Sequence, residues 1–177
     1  LYYLIGCFQG STDALREMQR LTHFTDFVIG HSHLTVFGTF VVWATAGMYW
    51  VTPRLARREL YSKNLAQWHY WLTVAGFSVM AGDLTLQGML QGTMLQAGTD
   101  FVQSMVAMKP YWIIRSLAGI TMDVGAALGF WNLYMTIRHG KAIPVPAGAS
   151  ADYLPEPKWS LETGANGVEP QRPCNRD

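Results

Sequence analysis

The stretch that decides the fold is residues 22–51, THFTDFVIGHSHLTVFGTFVVWATAGMYWV. From Phe27 to Pro53 it carries no charged side chain when histidine is counted as neutral. A helix needs about 20 consecutive, mostly apolar residues to cross the hydrocarbon core of a membrane. We therefore predict a membrane-spanning helix from about Asp26 to Val51.

Two further segments have the same character. One runs from about Asn64 to Gly92 and is interrupted only by Asp83, and the other runs from about Pro110 to Ile137. Residues 1–10 read as the end of a fourth helix. Core helices of water-soluble proteins are rarely this long. The predicted fold class is an all-α, membrane-spanning helix bundle with about three full transmembrane helices plus the end of a fourth, with the lipid bilayer as its surroundings.

Composition excludes some functions. The chain has 177 residues, half of them hydrophobic, and a net charge of +1. No basic run is present, so nothing indicates a nucleic-acid partner. The two cysteines, Cys7 and Cys174, lie at opposite ends of the chain and form no metal-binding motif.

Basic residues between the spans predict the orientation in the membrane. The segment 53–63, PRLARRELYSK, and the segment 138–141, RHGK, are rich in Arg and Lys, whereas residues 93–109 hold one acid and one base. An excess of Lys and Arg marks the cytoplasmic side. The first span then begins on the outer side, with His31 and His33 in its outer third.

The last part of the chain differs from the helices. Residues 139–177 contain six of the eight prolines, with scattered Gly, Ser and Glu, and such a segment cannot bury enough apolar surface to fold alone. We predict two regions: transmembrane helices over residues 1–138 and an extended, Pro-rich cytoplasmic tail over residues 139–177. Within the third span, Gly125 and Gly129 have the spacing that lets two helices approach closely.

His31 and His33 are the polar side chains in the first span that need an explanation. An ionisable side chain in a membrane is costly unless it meets a partner, and a hydrogen bond to a neighbouring helix is one such partner. In an α-helix, residues two apart point roughly 200° away from each other, so the pair cannot chelate one ion. Each could instead ligate a different haem, since neutral imidazole is a common axial ligand. Gly30 and Gly38 would leave room for the macrocycle faces.

The residues around this pair carry a family resemblance. The segment HFTDFVIGHSH, residues 23–33, resembles a helix in the catalytic subunit of haem-copper oxidases, most closely the C-family, or cbb3-type, cytochrome c oxidases. Further matches follow in the family's order: QWHYWLT (67–73), LQGMLQG (86–92), VAMKPYWIIRSLAG (106–119) and YMTIR (134–138). The resemblance covers residues 1–138, which correspond to about the last third of that subunit.

The resemblance implies roles for five residues. His31 would be the proximal ligand of the high-spin haem b, and His33 an axial ligand of the low-spin haem b. His23 and Asp26 match residues near the haem propionates; the alternatives are a solvated His23 and an Asp26 that caps the helix. Arg115 would neutralise a propionate or pair with an acid.

The resemblance also implies what this chain does not carry. The family's copper needs three further histidines, and the family's cross-linked tyrosine and second low-spin haem ligand lie on earlier helices. None of these can be assigned here. The implied partners are other helices or chains of the oxidase subunit and membrane-bound c-type cytochrome subunits, in the bacterial inner membrane. The implied reaction is reduction of oxygen to water. Alternatives are nitric oxide reduction by the same superfamily and a non-catalytic haem-binding membrane electron-transfer subunit.

The sequence departs from the family pattern at several polar positions. Gln9, in CFQG, stands where family members usually carry a glutamate, so proton delivery through that position is in doubt. Asp83 and Asp123 stand where apolar residues are expected. Asp83 could pair with Arg115, or either aspartate could belong to a rerouted proton path. For His69 we expect a structural hydrogen bond.

Overall fold

The structure, a computed structural model, describes residues 1–144 and residue 148, and this part of the chain is helical apart from turns and one isolated β-bridge. Its helices are α1 (Tyr2–Asp13), α2 (Arg16–Thr22), α3 (Asp26–Thr35), α4 (Val42–Ala56), α5 (Lys63–Gln96), α6 (Phe101–Ala107) and α7 (Lys109–His139). A π-helical segment, Val36–Val41, joins α3 to α4 without a break. The predicted all-α bundle of long helices is confirmed.

The long helices follow the predicted spans closely. The continuous helix Asp26–Ala56 and helix Lys109–His139 have 31 residues each and are apolar enough to cross a membrane. Helix α5 has 34 residues and lies between its two neighbours, but it does not reach their apolarity. Its polar residues lie both on its buried side, as at Asp83 and Gln87, and on its exposed side, as at Gln67.

An apolar core fills the middle of the bundle around α5. Its buried members come from α3, α5 and α7: Leu34, Phe77, Met80, Ala81, Leu84, Ala118 and Met122. Helix α1 is held to this core by Tyr2, whose hydroxyl donates to the Val74 carbonyl at 3.1 Å. Burial of these side chains between the helices fixes the register of α3 and α7 on α5.

Glycines set how closely the helices approach. A Cβ on Gly88 would overlap the backbone of Phe27, and one on Gly129 would overlap the imidazole of His69. Gly125 contacts α5 in the same way, with a Cβ position 3.1 Å from Leu72. The close approach predicted from Gly125 and Gly129 is therefore present between α7 and α5.

Two other glycines have a different role from the one predicted. A Cβ on Gly30 would lie 3.0 Å from Leu84, and one on Gly38 would lie 2.7 Å from the Phe77 ring. Both glycines therefore face helix α5. The prediction that they leave room for macrocycle faces is wrong, because helix packing fills the space beside them.

The start of α3 also differs from one expectation. The capping residue is Thr25, whose hydroxyl accepts a hydrogen bond from the Phe27 amide at 3.3 Å. The preceding residue, Phe24, has a positive φ of 61°, which turns the chain from α2 into α3. Asp26 is thus the first residue of the helix rather than its cap, and its carboxylate is available for other contacts.

The loop after α4 is paired with the residues that follow α7. Arg58 and Ala142 form an antiparallel bridge, and the Arg58 guanidinium donates to the Gly140 carbonyl at 2.8 Å. Buried Asn132 of α7 holds both the amide and the carbonyl of Ser62, at 3.1 Å and 2.9 Å. Beyond residue 144, the predicted tail lies outside the described residues, except for residue 148.

Candidate functional site

His31 lies on the side of α3 that faces α1. Its ring is against the α1 backbone at Gly10, where a Cβ would come within 3.0 Å of Cε1 and 3.3 Å of Nε2. The other ring nitrogen, Nδ1, is buried and has no hydrogen-bond partner among the described residues. This buried nitrogen lacks a hydrogen-bond partner. Its burial therefore costs free energy unless a ligand or another chain supplies a partner.

A cleft opens beside His31. It has a volume of about 430 Å³ and lies between α1 and the stretch of helix that follows His31. Small side chains leave it open, and its lining comprises Tyr3, Gly6, Cys7, Gly10, Ser11, His31, Thr35 and Thr39. His31 thus lines a mostly apolar space that could receive part of a large planar cofactor.

His33 lies on a different side of α3 and is exposed. Its Nδ1 is 2.8 Å from the Ile29 carbonyl, one turn earlier. A carbonyl can only accept a hydrogen bond, so this contact selects the tautomer with the proton on Nδ1 and leaves the Nε2 lone pair free to bind a metal. Exposed apolar side chains flank it along the helix, among them Ile29, Val36 and Phe40.

The surroundings of both histidines are compatible with haem ligation. One has an unpartnered buried nitrogen beside an apolar cleft, and the other has its ring oriented by a backbone carbonyl with Nε2 free. The exposed apolar surface around His33 suits a macrocycle. The predicted difference in direction between His31 and His33 is therefore visible in their surroundings, and their axial roles stay predictions.

A second polar feature, here called the polar column, consists of Asp26, Asp83, Gln87, Gln91 and Arg115. The Asp26 carboxylate accepts a hydrogen bond from the Gln87 amide through Oδ2. Its backbone N–H donates to Gln91 Oε1 at 3.3 Å. The Arg115 guanidinium lies 3.9 Å from Asp26 Oδ1. The column thus joins α3, α5 and α7 near the start of α3.

The acidic partner of Arg115 differs from the predicted one. The ion pair of Arg115 is with Asp26, and no hydrogen bond or ion pair joins it to Asp83 among the described residues. Asp83 is 8% exposed and its Oδ2 has no hydrogen-bond partner. Asp123, by contrast, is exposed on α7. The pairing of Asp83 with Arg115 is therefore wrong.

Sequence reasoning missed Gln87 and Gln91, both of which are almost fully buried. Their spacing could have revealed them, since residues 83, 87 and 91 follow one another at intervals of four. Such residues lie one above the other on a single face of a helix. A polar row of this kind within an apolar segment indicates a face turned toward a partner helix.

The remaining candidates have ordinary partners. His23 is exposed and lies 2.9 Å from the Gln19 amide through Nδ1. His69 forms the predicted structural hydrogen bond, with the Tyr49 hydroxyl 3.1 Å from its Nδ1. Gln9 donates to the Thr85 hydroxyl at 3.2 Å. Within residues 1–144 and 148, no three His, Cys, Asp or Glu side chains are grouped as a metal site requires.

Comparison with known proteins gives a consistent set of similarities. Residues 1–121 match the family model of cytochrome c and quinol oxidase polypeptide I. A cytochrome c oxidase subunit 1 homolog of Azorhizobium caulinodans is 29% identical over 157 residues, which are 84% of this chain. A bacteroid homolog of the same subunit from Bradyrhizobium diazoefficiens is 32% identical over 80% of this chain. A cbb3-type cytochrome c oxidase subunit of Stutzerimonas stutzeri is 26% identical over 84% of it.

These alignments cover only part of each relative. They span 28% of the Azorhizobium protein, 27% of the Bradyrhizobium protein and 33% of the Stutzerimonas protein. The chain therefore spans between a quarter and a third of the length of these three relatives.

Proposed function

The chain belongs to the family of cytochrome c and quinol oxidase polypeptide I, and we propose that it forms part of the catalytic subunit of a bacterial haem-copper oxidase, in which His31 and His33 bind two different haems. The resemblance to the cbb3-type oxidases is confirmed by the relatives described above. The proposed reaction of the whole subunit is reduction of oxygen to water.

The observation that carries the proposal is the arrangement of the two imidazoles on one helix. His31 faces α1 and an apolar cleft, while His33 is exposed among apolar side chains with its Nδ1 on the Ile29 carbonyl. One short segment of helix can thus hold two irons on different sides. Axial imidazoles on a shared backbone keep two redox centres close and in a fixed orientation, which favours electron transfer between them.

The protein's contribution is to orient the ligands and exclude water. The carbonyl of Ile29 fixes the His33 ring, and the backbone of α1 at Gly10 limits rotation of the His31 ring. Leu34 and the core around Phe77 are buried directly behind this segment. A bound haem supplies the one-electron redox chemistry and a bound copper the second metal of the reaction centre.

Asp26 and Arg115 belong to the propionate side of the proposed site. The side chain of Arg115 is 38% exposed, and its ion pair with Asp26 has a long N–O distance of 3.9 Å. Its remaining N–H groups can therefore donate to an anionic group, for which a guanidinium is well suited. In this proposal Arg115 would donate to a propionate as well as to Asp26, and exposed His23 lies near the same end of α3.

The other parts of the assembly are proposed from the family. Copper is held by ligands outside this chain, and the partners are the remaining helices of the subunit and membrane-bound c-type cytochrome subunits. The protein is an integral membrane protein, and the bacterial inner membrane is its proposed location. Gln9 in place of the usual glutamate keeps nitric oxide reduction as the second candidate.

The test is a set of visible spectra of the purified complex, reduced with and without carbon monoxide. The wild type is expected to contain a low-spin haem and a high-spin haem that binds carbon monoxide. His31→Ala should lose the signal that responds to carbon monoxide, and His33→Ala should lose the low-spin signal. His139→Ala, at an exposed position on α7, is the matched control and should keep both.

Two results would overturn parts of the proposal. Retention of both haems in His31→Ala and His33→Ala would show that neither residue is an axial ligand. Metal analysis of the wild type separates the two reactions, because iron at the second metal position without copper would favour nitric oxide reduction.

A further inference from the structure

Asp83 is a buried carboxyl whose hydrogen bonding is incomplete. The side chain is 8% exposed, and Oδ2 has no hydrogen-bond partner among the described residues. An ionised carboxylate can only accept hydrogen bonds, and burying it without donors is costly. Asp83 lies in the middle of a long helix within a membrane bundle. Either a full positive charge close to the carboxylate or a bound proton must therefore offset this free-energy cost.

The charges around Asp83 do not supply a full positive charge. From α3 it faces Asp26 and from α7 it faces Arg115, whose charges both reach it. Helix α5 itself carries no other Asp, Glu, Lys or Arg between Asn64 and Gln96. Arg115 forms its ion pair with Asp26, at 3.9 Å. One guanidinium therefore lies among two carboxyls, and a proton on one of them balances the group electrically.

A second unpartnered oxygen identifies the place of that proton. Gln87 is fully buried, and its Oε1 also lacks a hydrogen-bond partner, while its amide nitrogen donates to Asp26. Gln87 lies one helical turn from Asp83 on the same face of α5. Two acceptor oxygens cannot satisfy each other, but a proton on Asp83 makes that side chain a donor toward Gln87. One proton then relieves both unsatisfied oxygens.

We propose that Asp83 carries a proton at neutral pH and donates it in a hydrogen bond to Gln87 Oε1, while Asp26 stays ionised beside Arg115. The polar column is then a proton-holding site that continues from Asp83 through Gln87 and Asp26 to Gln91. The partly exposed Arg115 connects it to water at the end of the bundle where α3 begins.

In the opposite direction the neighbouring buried side chains are apolar. On the other side of Asp83 lies the apolar core, with Met80, Phe77 and Met122 buried between α5 and α7. The polar side chains that could pass this proton on therefore lie toward the start of α3. A role for this proton in compensating an electron on a nearby haem rests on the function proposed above; the protonation itself does not.

Infrared spectroscopy of the purified complex tests the inference without using activity. A protonated carboxylic acid has a C=O band distinct from that of a carboxylate. The difference between wild type and Asp83→Asn should contain such a band, shifted when H₂O is replaced by D₂O. Glu17→Gln, a carboxyl-to-amide change at a position where the carboxyl side chain is 83% exposed, is the matched control and should remove no such band.

Two further variants test whether the band comes from Asp83 and whether Gln87 accepts its hydrogen bond. Asp83→Glu keeps a carboxyl but changes its position and surroundings, so the C=O band should shift in frequency rather than vanish. Gln87→Leu removes the acceptor, and loss of that hydrogen bond should raise the C=O frequency. If Asp83→Asn cannot be assembled, Asp83→Glu decides alone. An acid band that is unchanged in Asp83→Asn, or unmoved in Asp83→Glu, would overturn the proposal. A visible spectrum without haem would count against the proposed function only.

Discussion

At the start of α3 the hydroxyl of Thr25 has two functions. It accepts a hydrogen bond from the Phe27 amide at 3.3 Å and donates one to the Thr22 carbonyl at 2.6 Å. Thr25 is 4% exposed, so water cannot replace these contacts. The cap thereby fixes both the first turn of α3 and the tight connection from α2, at the residue just before Asp26.

Replacement of this cap should weaken the site end of the bundle. Thr25→Ala is expected to lower the stability of the complex by about 1 kcal/mol, the usual cost of losing a helix N-cap. Thr25→Ser keeps the hydroxyl and serves as the control, with a smaller loss. The midpoint of thermal unfolding in detergent measures both. Equal midpoints for Thr25→Ala and wild type would contradict a capping role.

At the scale of helices, close packing at glycine positions determines how the site is assembled. Gly88 lets α5 touch the backbone of α3 at Phe27, next to Asp26. The contact brings Gln87 and Gln91 against the first residue of α3. The polar column therefore depends on a helix contact that no larger side chain would permit.

Gly88→Ala should separate α5 from α3. Because the added Cβ would meet backbone rather than a flexible side chain, relaxation requires movement of a whole helix, and overpacking of this kind typically costs roughly 1–3 kcal/mol. Gly82→Ala is the matched control on the same helix, since its Cβ would meet nothing within 4 Å. The expected result is a lower unfolding midpoint for Gly88→Ala and an unchanged or slightly higher one for Gly82→Ala. Indistinguishable midpoints would show that the contact is not tight in the assembly.

At the scale of the whole molecule, the long helices were predictable because membrane spanning imposes a length and an apolar composition on each. The opposite directions of His31 and His33 followed from helix geometry alone. The contacts of Gly30, Gly38 and Asp83 were not predictable, because they depend on which helix lies opposite. Only the structure shows that α5 is the helix beside Gly30 and that Arg115 pairs with Asp26.

The placement of α5 leads to a prediction about the whole bundle. This helix is the longest of the three and falls short of the apolarity of the other two. Its acidic residue, Asp83, is nevertheless buried, and apolar side chains such as Val79 and Leu86 are exposed. We expect it to cross the membrane, with its first residue on the cytoplasmic side as the basic segment 53–63 predicts.

Cysteine labelling tests this topology at two exposed positions near opposite ends of α5. In a background with Cys7 and Cys174 changed to Ser, Ala97→Cys should react with a membrane-impermeant maleimide added to intact cells. Asn64→Cys should react only after the membrane is opened. Labelling of both from the same side would mean that α5 does not span. Labelling in the reverse order would show that the bundle has the opposite orientation in the membrane. His31, His33 and the open end of the polar column would then lie on the cytoplasmic side.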